Sequence, residues 1–145
     1  MPDGRLGLLD YGMVGRLSND ERYSIANTIL GLHNQNKTQV ANLYTSSGYA
    51  ATMSNENVTD INIIHRFATF HLDKIDLSPL ILENGEVIEI MNLMKNARER
   101  VIPPWIEEGR RLGGLLQGVC AQAARPISLA KEWNGIASQV VQTSK

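Results

Sequence analysis

From Ser18 onward, apolar residues recur at three- and four-residue intervals almost to the end of the chain. That spacing, broken only by polar, glycine or proline stretches, commits most of the molecule to helices. Ser18-Asn19-Asp20-Glu21 is a capping-box pattern: the Ser18 hydroxyl accepts a free backbone N–H while Glu21 reaches back to the cap. A helix over about residues 18–33 is expected, with Tyr23, Ala26, Ile29, Leu30 and His33 on one stripe and His33 favoured at its end by the helix dipole. Asn34-Gln35-Asn36-Lys37 is a polar break, after which Thr38 is expected to cap a second helix carrying Val40, Ala41, Leu43 and Tyr44 and ending at Gly48. A third helix follows the polar residues 52–57 and buries Val58, Ile61, Ile64, Phe67, Ala68 and Leu72, before Ser78-Pro79 breaks the pattern.

A fourth helix, roughly residues 84–98, presents Val87, Ile88, Met91, Leu93 and Met94 and stops before Val101-Ile102-Pro103-Pro104. Pro104 suits the first turn of a fifth helix, residues 105 to about 124, which is charged in front and uncharged over residues 112–124. That uncharged run is shorter than the roughly 20 apolar residues a bilayer span needs. Arg125-Pro126 stops it, and a sixth helix from Ser128 spaces Leu129, Trp133, Ile136 and Val140 on one face. The expected fold is mainly α, one short strand followed by about six helices, with no repeat and no internal domain boundary.

The strand lies at the start. Pro2-Asp3-Gly4 is a tight-turn signal and residues 5–9 read as a short apolar strand. A hairpin turn needs a strand on each side, so the chain is expected to be the tail of something larger. The strand delivers Asp10-Tyr11-Gly12, an acid, an aromatic and a glycine, which is how kinase folds set a carboxylate on the magnesium of bound ATP. A carboxylate suits magnesium because that hard cation takes oxygen ligands, and Gly12 permits the sharp turn beside it. Tyr11 is expected to pack inward. Only residues 13–17 separate this motif from the Ser18 cap. No long activation segment fits there, which argues against an ordinary peptide kinase and toward a small, lipidic or intramolecular phosphate acceptor, or plain ATP hydrolysis.

Composition narrows the partners. With 145 residues, 43% of them hydrophobic, and a formal net charge of -1, the chain can bury a core but lacks the basic excess that neutralises a nucleic-acid backbone. Nucleic acid is therefore excluded as an expected partner. Cys120 is the single cysteine, so neither an intramolecular disulfide nor a zinc cluster of cysteines can form.

Residues 1–18 resemble the UbiB/aarF-domain family of atypical kinase-like proteins, whose strand of the form PDGRLGLLDFG is followed closely by a helix. Arg100-Val101-Ile102-Pro103-Pro104 and the Arg110-Arg111-Leu112-Gly113-Gly114 helix also look like the carboxy-terminal helices of that family, while residues 35–85 match only in general character. The resemblance implies a protein-kinase-like carboxy lobe. Residues 1–17 are then the strand and metal-binding segment and residues 18–145 the helical lobe, with Asp10 the magnesium ligand and Tyr11 and Gly12 supporting the ATP site. It implies Mg2+ and ATP as cofactors of an intact parent, the amino-terminal lobe of the same protein as a partner, and a role in ubiquinone or related prenyl-lipid metabolism. Family members associate with membranes in bacteria, mitochondria or plastids. The family's lysine–glutamate pair, KxGQ segment and catalytic-loop aspartate and asparagine are not found in residues 1–145, and Tyr11 stands for the usual phenylalanine. The chain alone is therefore expected to be inactive. The alternative is a noncatalytic helical module that binds a partner protein or a membrane surface.

The remaining features have plainer expected roles. Gly109, Gly113, Gly114 and Gly118 are expected to let the fifth helix pack closely in the core. Arg110 and Arg111 are expected on a solvated face, and Cys120 in an inert apolar environment. His33, His65 and His71 lack zinc-ligand spacing. Asn36-Lys37-Thr38 and Asn57-Val58-Thr59 match the glycosylation pattern but read as loop and cap residues.

Overall fold

The structure is a computed structural model that describes residues 15–143. The expected strand at residues 5–9 and the motif Asp10-Tyr11-Gly12 lie outside the described residues. The rest is mainly helical, as the periodicity requires.

Helix α1 (Asn19–His33) starts with the capping box in place: Glu21 N donates to Ser18 Oγ at 3.2 Å and Ser18 N donates to Glu21 Oε2 at 2.8 Å. Its buried stripe is Ala26, Ile29 and Leu32, with Thr28 and Gly31, whereas Tyr23 and His33 are exposed. The stripe is rotated from the expected one because α1 packs chiefly against α6 (Leu129–Thr143) on one side and α2 on another. A Cβ on Gly31 would stand 2.7 Å from Val40 Cγ2, so this glycine sets how near α2 approaches. Helix α2 (Lys37–Ser46) is capped by Asn36 rather than Thr38, with Gln39 N donating to Asn36 Oδ1 at 3.1 Å. Gly48 ends the segment with φ +89°.

The polar residues read as a loop instead form a sheet. Strand β1 (Ala50–Met53) pairs antiparallel with β2 (Glu56–Asn57) through a two-residue turn in which Ser54 and Asn55 both have positive φ, 52° and 68°. That is the primed-turn geometry that matches strand twist. The other edge of β1 pairs with a later strand, giving the order β2-β1-β5.

Helix α3 (Ile61–Leu72) runs through the centre and packs on α1, α2 and the fifth helix. Asp60 caps it through Oδ1, which accepts from Asn62 N at 2.8 Å and Ile63 N at 3.2 Å, while Asp60 Oδ2 accepts from Glu83 N at 2.7 Å. The cap thereby also anchors the next hairpin.

The expected fourth helix is the clearest correction. Residues 84–98 form not one helix but three elements: the hairpin of β3 (Leu80–Ile81) and β4 (Val87–Ile88), a short helix α4 (Ile90–Asn96), and β5 (Ala97–Val101). Gly85 at φ +85° and the Asn84 side chain, which accepts from Glu86 N at 2.9 Å, turn the hairpin. The expected stripe is not the buried one: Val87 and Met91 are exposed, whereas Ile90 and Leu93 are buried.

Helix α5 (Pro104–Gln122) carries Pro104 in its first turn and buries Trp105, Ile106, Gly109, Gly113 and Gln117. A Cβ on Gly109 would collide with Leu72 Cδ2, and one on Gly113 would lie 2.6 Å from the His71 carbonyl oxygen. These two glycines let α5 cross the end of α3 closely. Gly114 and Gly118 face open space, so the close-packing role does not extend to them. The outer face of the rear half, Leu112, Leu115 and Val119, is likewise exposed, and Cys120 is half-buried rather than enclosed in the core. In α6 the buried set is Leu129, Ala130 and Ala137 with Trp133 and Val140 packed beside it, while Ile136 points outward. Among the described residues no helix is long and apolar enough to cross a membrane.

One polar joint holds three of these elements together. Asp73, the residue that ends α3, is buried, and its Oδ1 accepts from the Ser128 hydroxyl at 2.5 Å and from Ala130 N at 3.0 Å. Its carbonyl accepts from Gln117 Nε2 at 3.0 Å and Leu129 N at 3.3 Å. Asp73 therefore caps the first turn of α6 from outside that helix.

Candidate functional site

Asp10, Tyr11 and Gly12 lie outside the described residues, so the site is built from where the described chain begins. Gly15 stands beside α5, where an added Cβ would be 3.3 Å from Glu108 Oε2. Leu17 then lines a cleft of about 620 Å3 with Ile25, Leu72, Gly109, Leu115 and Trp133. Glu108 and Arg111 form the polar rim of this cleft, paired at 3.6 Å, and Arg111 also pairs with Glu107 at 3.4 Å. Gly15 and Leu17 thus lie on a face whose carboxylates already hold arginines. Among the described residues no group of three or more His, Cys, Asp or Glu is placed to hold a metal ion. Oxygen donors of the kind magnesium requires are present there in Glu107 and Glu108, but both are engaged with cations.

Behind this face lies a polar network inside an aromatic cluster. His71, near the end of α3, is buried with both ring nitrogens engaged: Nε2 is 3.0 Å from Glu99 Oε1 and Nδ1 is 3.3 Å from the Tyr44 hydroxyl. The Tyr49 hydroxyl donates to the same Glu99 Oε1 at 2.9 Å, and Arg110 Nη1 reaches Glu99 Oε2 at 3.6 Å. Arg110 Nη2 donates to Glu107 Oε2 at 2.6 Å. Tyr44 and His71 stack at 6.1 Å, and Trp105 meets Tyr44 edge-on at 5.6 Å. Burial works to raise the Glu99 carboxyl, but the hydrogen bond and charge of His71, the Tyr49 hydroxyl and Arg110 outweigh it and hold the group below its ordinary value. Burial, reinforced by the Glu99 charge, pushes the Tyr44 and Tyr49 hydroxyls well above the usual tyrosine range.

Tyr44 is enclosed and braces His71, which with Tyr49 fixes Glu99. His71, Glu99 and Arg110 of this network line a second cleft of about 570 Å3. Its other walls are mostly apolar, with Phe70, Ile75, Leu77, Met94 and Ile102, and include Arg98. A cleft of that composition suits a ligand with an apolar body and a polar end.

The remaining candidates fall as follows. Arg110 and Arg111 are half to mostly exposed and ion-paired, as expected of a solvated face. His33 is exposed in the last turn of α1. The network of His71, Glu99, Tyr44 and Tyr49 was not legible as a site, since its members lie on α2, α3, β5 and the loop before β1. The available signal was the alternation Ala97-Arg98-Glu99-Arg100-Val101, in which Ala97 is buried, Glu99 half-buried and Arg98 exposed. Comparison with known protein families, with curated proteins and with solved structures finds no match to this chain.

Proposed function

We propose that the chain is the carboxy-lobe part of an atypical kinase-like protein that uses Mg2+ and ATP, either hydrolysing the nucleotide or transferring its phosphate, in ubiquinone or related prenyl-lipid metabolism. The observation that carries this reading is the short interval between Gly12 and the capped start of α1, with Gly15 and Leu17 already set against α5. That leaves no stretch for a peptide-docking activation segment. Asp10 would hold the magnesium ion, which when bound neutralises nucleotide phosphate charge, with Tyr11 and Gly12 shaping the turn. The apolar cleft ending at Glu99 and Arg110 supports a lipidic rather than a peptide acceptor. The amino-terminal lobe of the same protein is the partner this reading requires, and a membrane-associated setting in bacteria, mitochondria or plastids goes with it.

The first test is the coding sequence upstream of Met1. An in-frame HxDPHPGN-like catalytic loop and KxGQ segment are expected, and their absence would sink the enzyme reading. The purified 145-residue chain should show no magnesium-dependent ATP hydrolysis, because one metal ligand without an opposing lobe does not orient a nucleotide. Hydrolysis by this chain that disappears in Asp10→Ala would contradict that.

A second reading is favoured by one observation, the exposed apolar face of α5 formed by Leu112, Leu115 and Val119. It makes the chain a noncatalytic helical module that docks on a partner protein or a membrane surface.

A further inference from the structure

Apart from both clefts, a polar cavity of about 480 Å3 opens where the end of α1, the start of α2, α3 and the start of α6 converge. Four cationic side chains line it, Lys37, Arg66, Lys74 and Lys131, against two carboxylates, Asp73 and Asp76. Both acids are satisfied internally. Asp73 Oδ1 accepts from Ser128 and Ala130, and Asp76 Oδ1 accepts from Ser78 N at 3.0 Å and Ser78 Oγ at 2.6 Å. Two of the cations are also engaged: Arg66 Nη1 donates to the Asp76 and Ser78 carbonyls, each at 2.8 Å, and Lys37 Nζ donates to Asn62 Oδ1 at 2.8 Å. Lys74 and Lys131 make no ion pair among the described residues. The amino-terminal end of α2, at Lys37, borders the cavity and adds the positive end of a helix dipole, whereas the start of α6, at Ser128, is already capped by Asp73.

A separate observation points to a ligand. His65 lines the same cavity, and its Nε2 is the one buried side-chain polar atom without a hydrogen-bond partner among the described residues. Buried polar groups are almost always paired, so an orphaned one inside a cationic cavity marks a place for an acceptor to sit. We propose that this cavity binds a phosphate monoester, held by the Lys74 and Lys131 ammonium groups with His65 Nε2 as a further donor. The excess of cations over satisfied carboxylates favours a dianion over a carboxylate, and the cavity has room for a small organic body beside the phosphate. The two lysines act as mobile point charges, which suits phosphate oxygens in more than one orientation.

The free protein holds His65 toward its neutral form: burial lowers its pKa, and Lys37 and Arg66 push the same way, against Asp73. Lys74, Lys131, His33 and Asp76 also face the cavity. A bound dianion opposes that push.

Thermal unfolding with sn-glycerol 3-phosphate or inorganic phosphate, against chloride at matched ionic strength, tests the site directly. Wild type should be stabilised by both phosphates, and its His65 titration midpoint, read from the imidazole NMR signals, should move up. The double variant Lys74→Gln, Lys131→Gln should bind at least about tenfold more weakly, and either single variant serves if the double one does not fold. Co-sedimentation with phosphatidic-acid vesicles separates the source. A response to glycerol phosphate identifies a soluble ligand, and vesicle binding alone, lost in the same variant, identifies a lipid headgroup. An equal response in wild type and variant, or none beyond chloride in either arm, overturns the site.

Discussion

At the scale of single residues, the buried Asp73 and the half-buried Glu99 leave different signatures. Asp73 accepts from Ser128 and from the backbone of Ala130, so removing it strands donors at the start of α6 and loosens the junction with α3. Asp73→Ala should lower unfolding stability by about 2–3 kcal/mol in urea titration, while the exposed Asp20→Ala should change it by less than about 0.5 kcal/mol. Glu99 carries a pH signature. Its carboxyl is held below the ordinary value of 4.5, so the folded state binds a proton there less readily than the unfolded chain does. Its contribution is therefore fully present above that value and is lost as pH falls through the folded-state value. Glu99→Gln should be less stable than wild type at neutral pH and should show a shallower loss as pH falls below about 4.5; parallel acid curves would show that Glu99 does not hold the network. Residue chemistry with a local partner was legible from sequence, as in the Ser18–Glu21 box. Chemistry whose partners are distant in the chain was not: His71 meets Glu99 only because β5 pairs with β1, and no local spacing encodes that contact.

At the scale of elements, helices with strong periodicity and clear caps were readable, and α1, α3, α5 and α6 lie close to the expected spans. The misread elements are the short strands. Ser54-Asn55 adopts the positive φ values usually left to Asn-Gly, so the hairpin lacks its strongest sequence signal. Residues 87–94 space their apolar side chains well enough to mimic a helix, although the turn at Gly85 takes the first part into a hairpin. The glycines of α5 separate two roles within one helix. Gly113→Ala would drive a methyl into the His71 carbonyl and should destabilise the protein by about 1–3 kcal/mol. Gly118→Ala meets nothing within van der Waals reach and should stabilise it by roughly 0.5–1 kcal/mol. Equal effects of the two changes, measured by chemical denaturation, would refute the close crossing of α5 over α3.

At the scale of the whole molecule, α3 is the central element, packed on by α1, α2 and α5, and the clefts lie on the surfaces this arrangement leaves uncovered. The mainly helical architecture was legible because one period runs through most of the sequence. The placement of the clefts was not, because it depends on which helices cross and how closely. Gly15 lies beside Glu108 on α5, and Leu17 lines the adjoining cleft. The most direct measurement is steady-state, magnesium-dependent ATP turnover by the protein extended with its in-frame upstream sequence, comparing wild type with Asp10→Ala. The account expects turnover in wild type and a loss of at least roughly 100-fold in the variant; turnover indifferent to Asp10, or none in the extended wild-type protein, would contradict it.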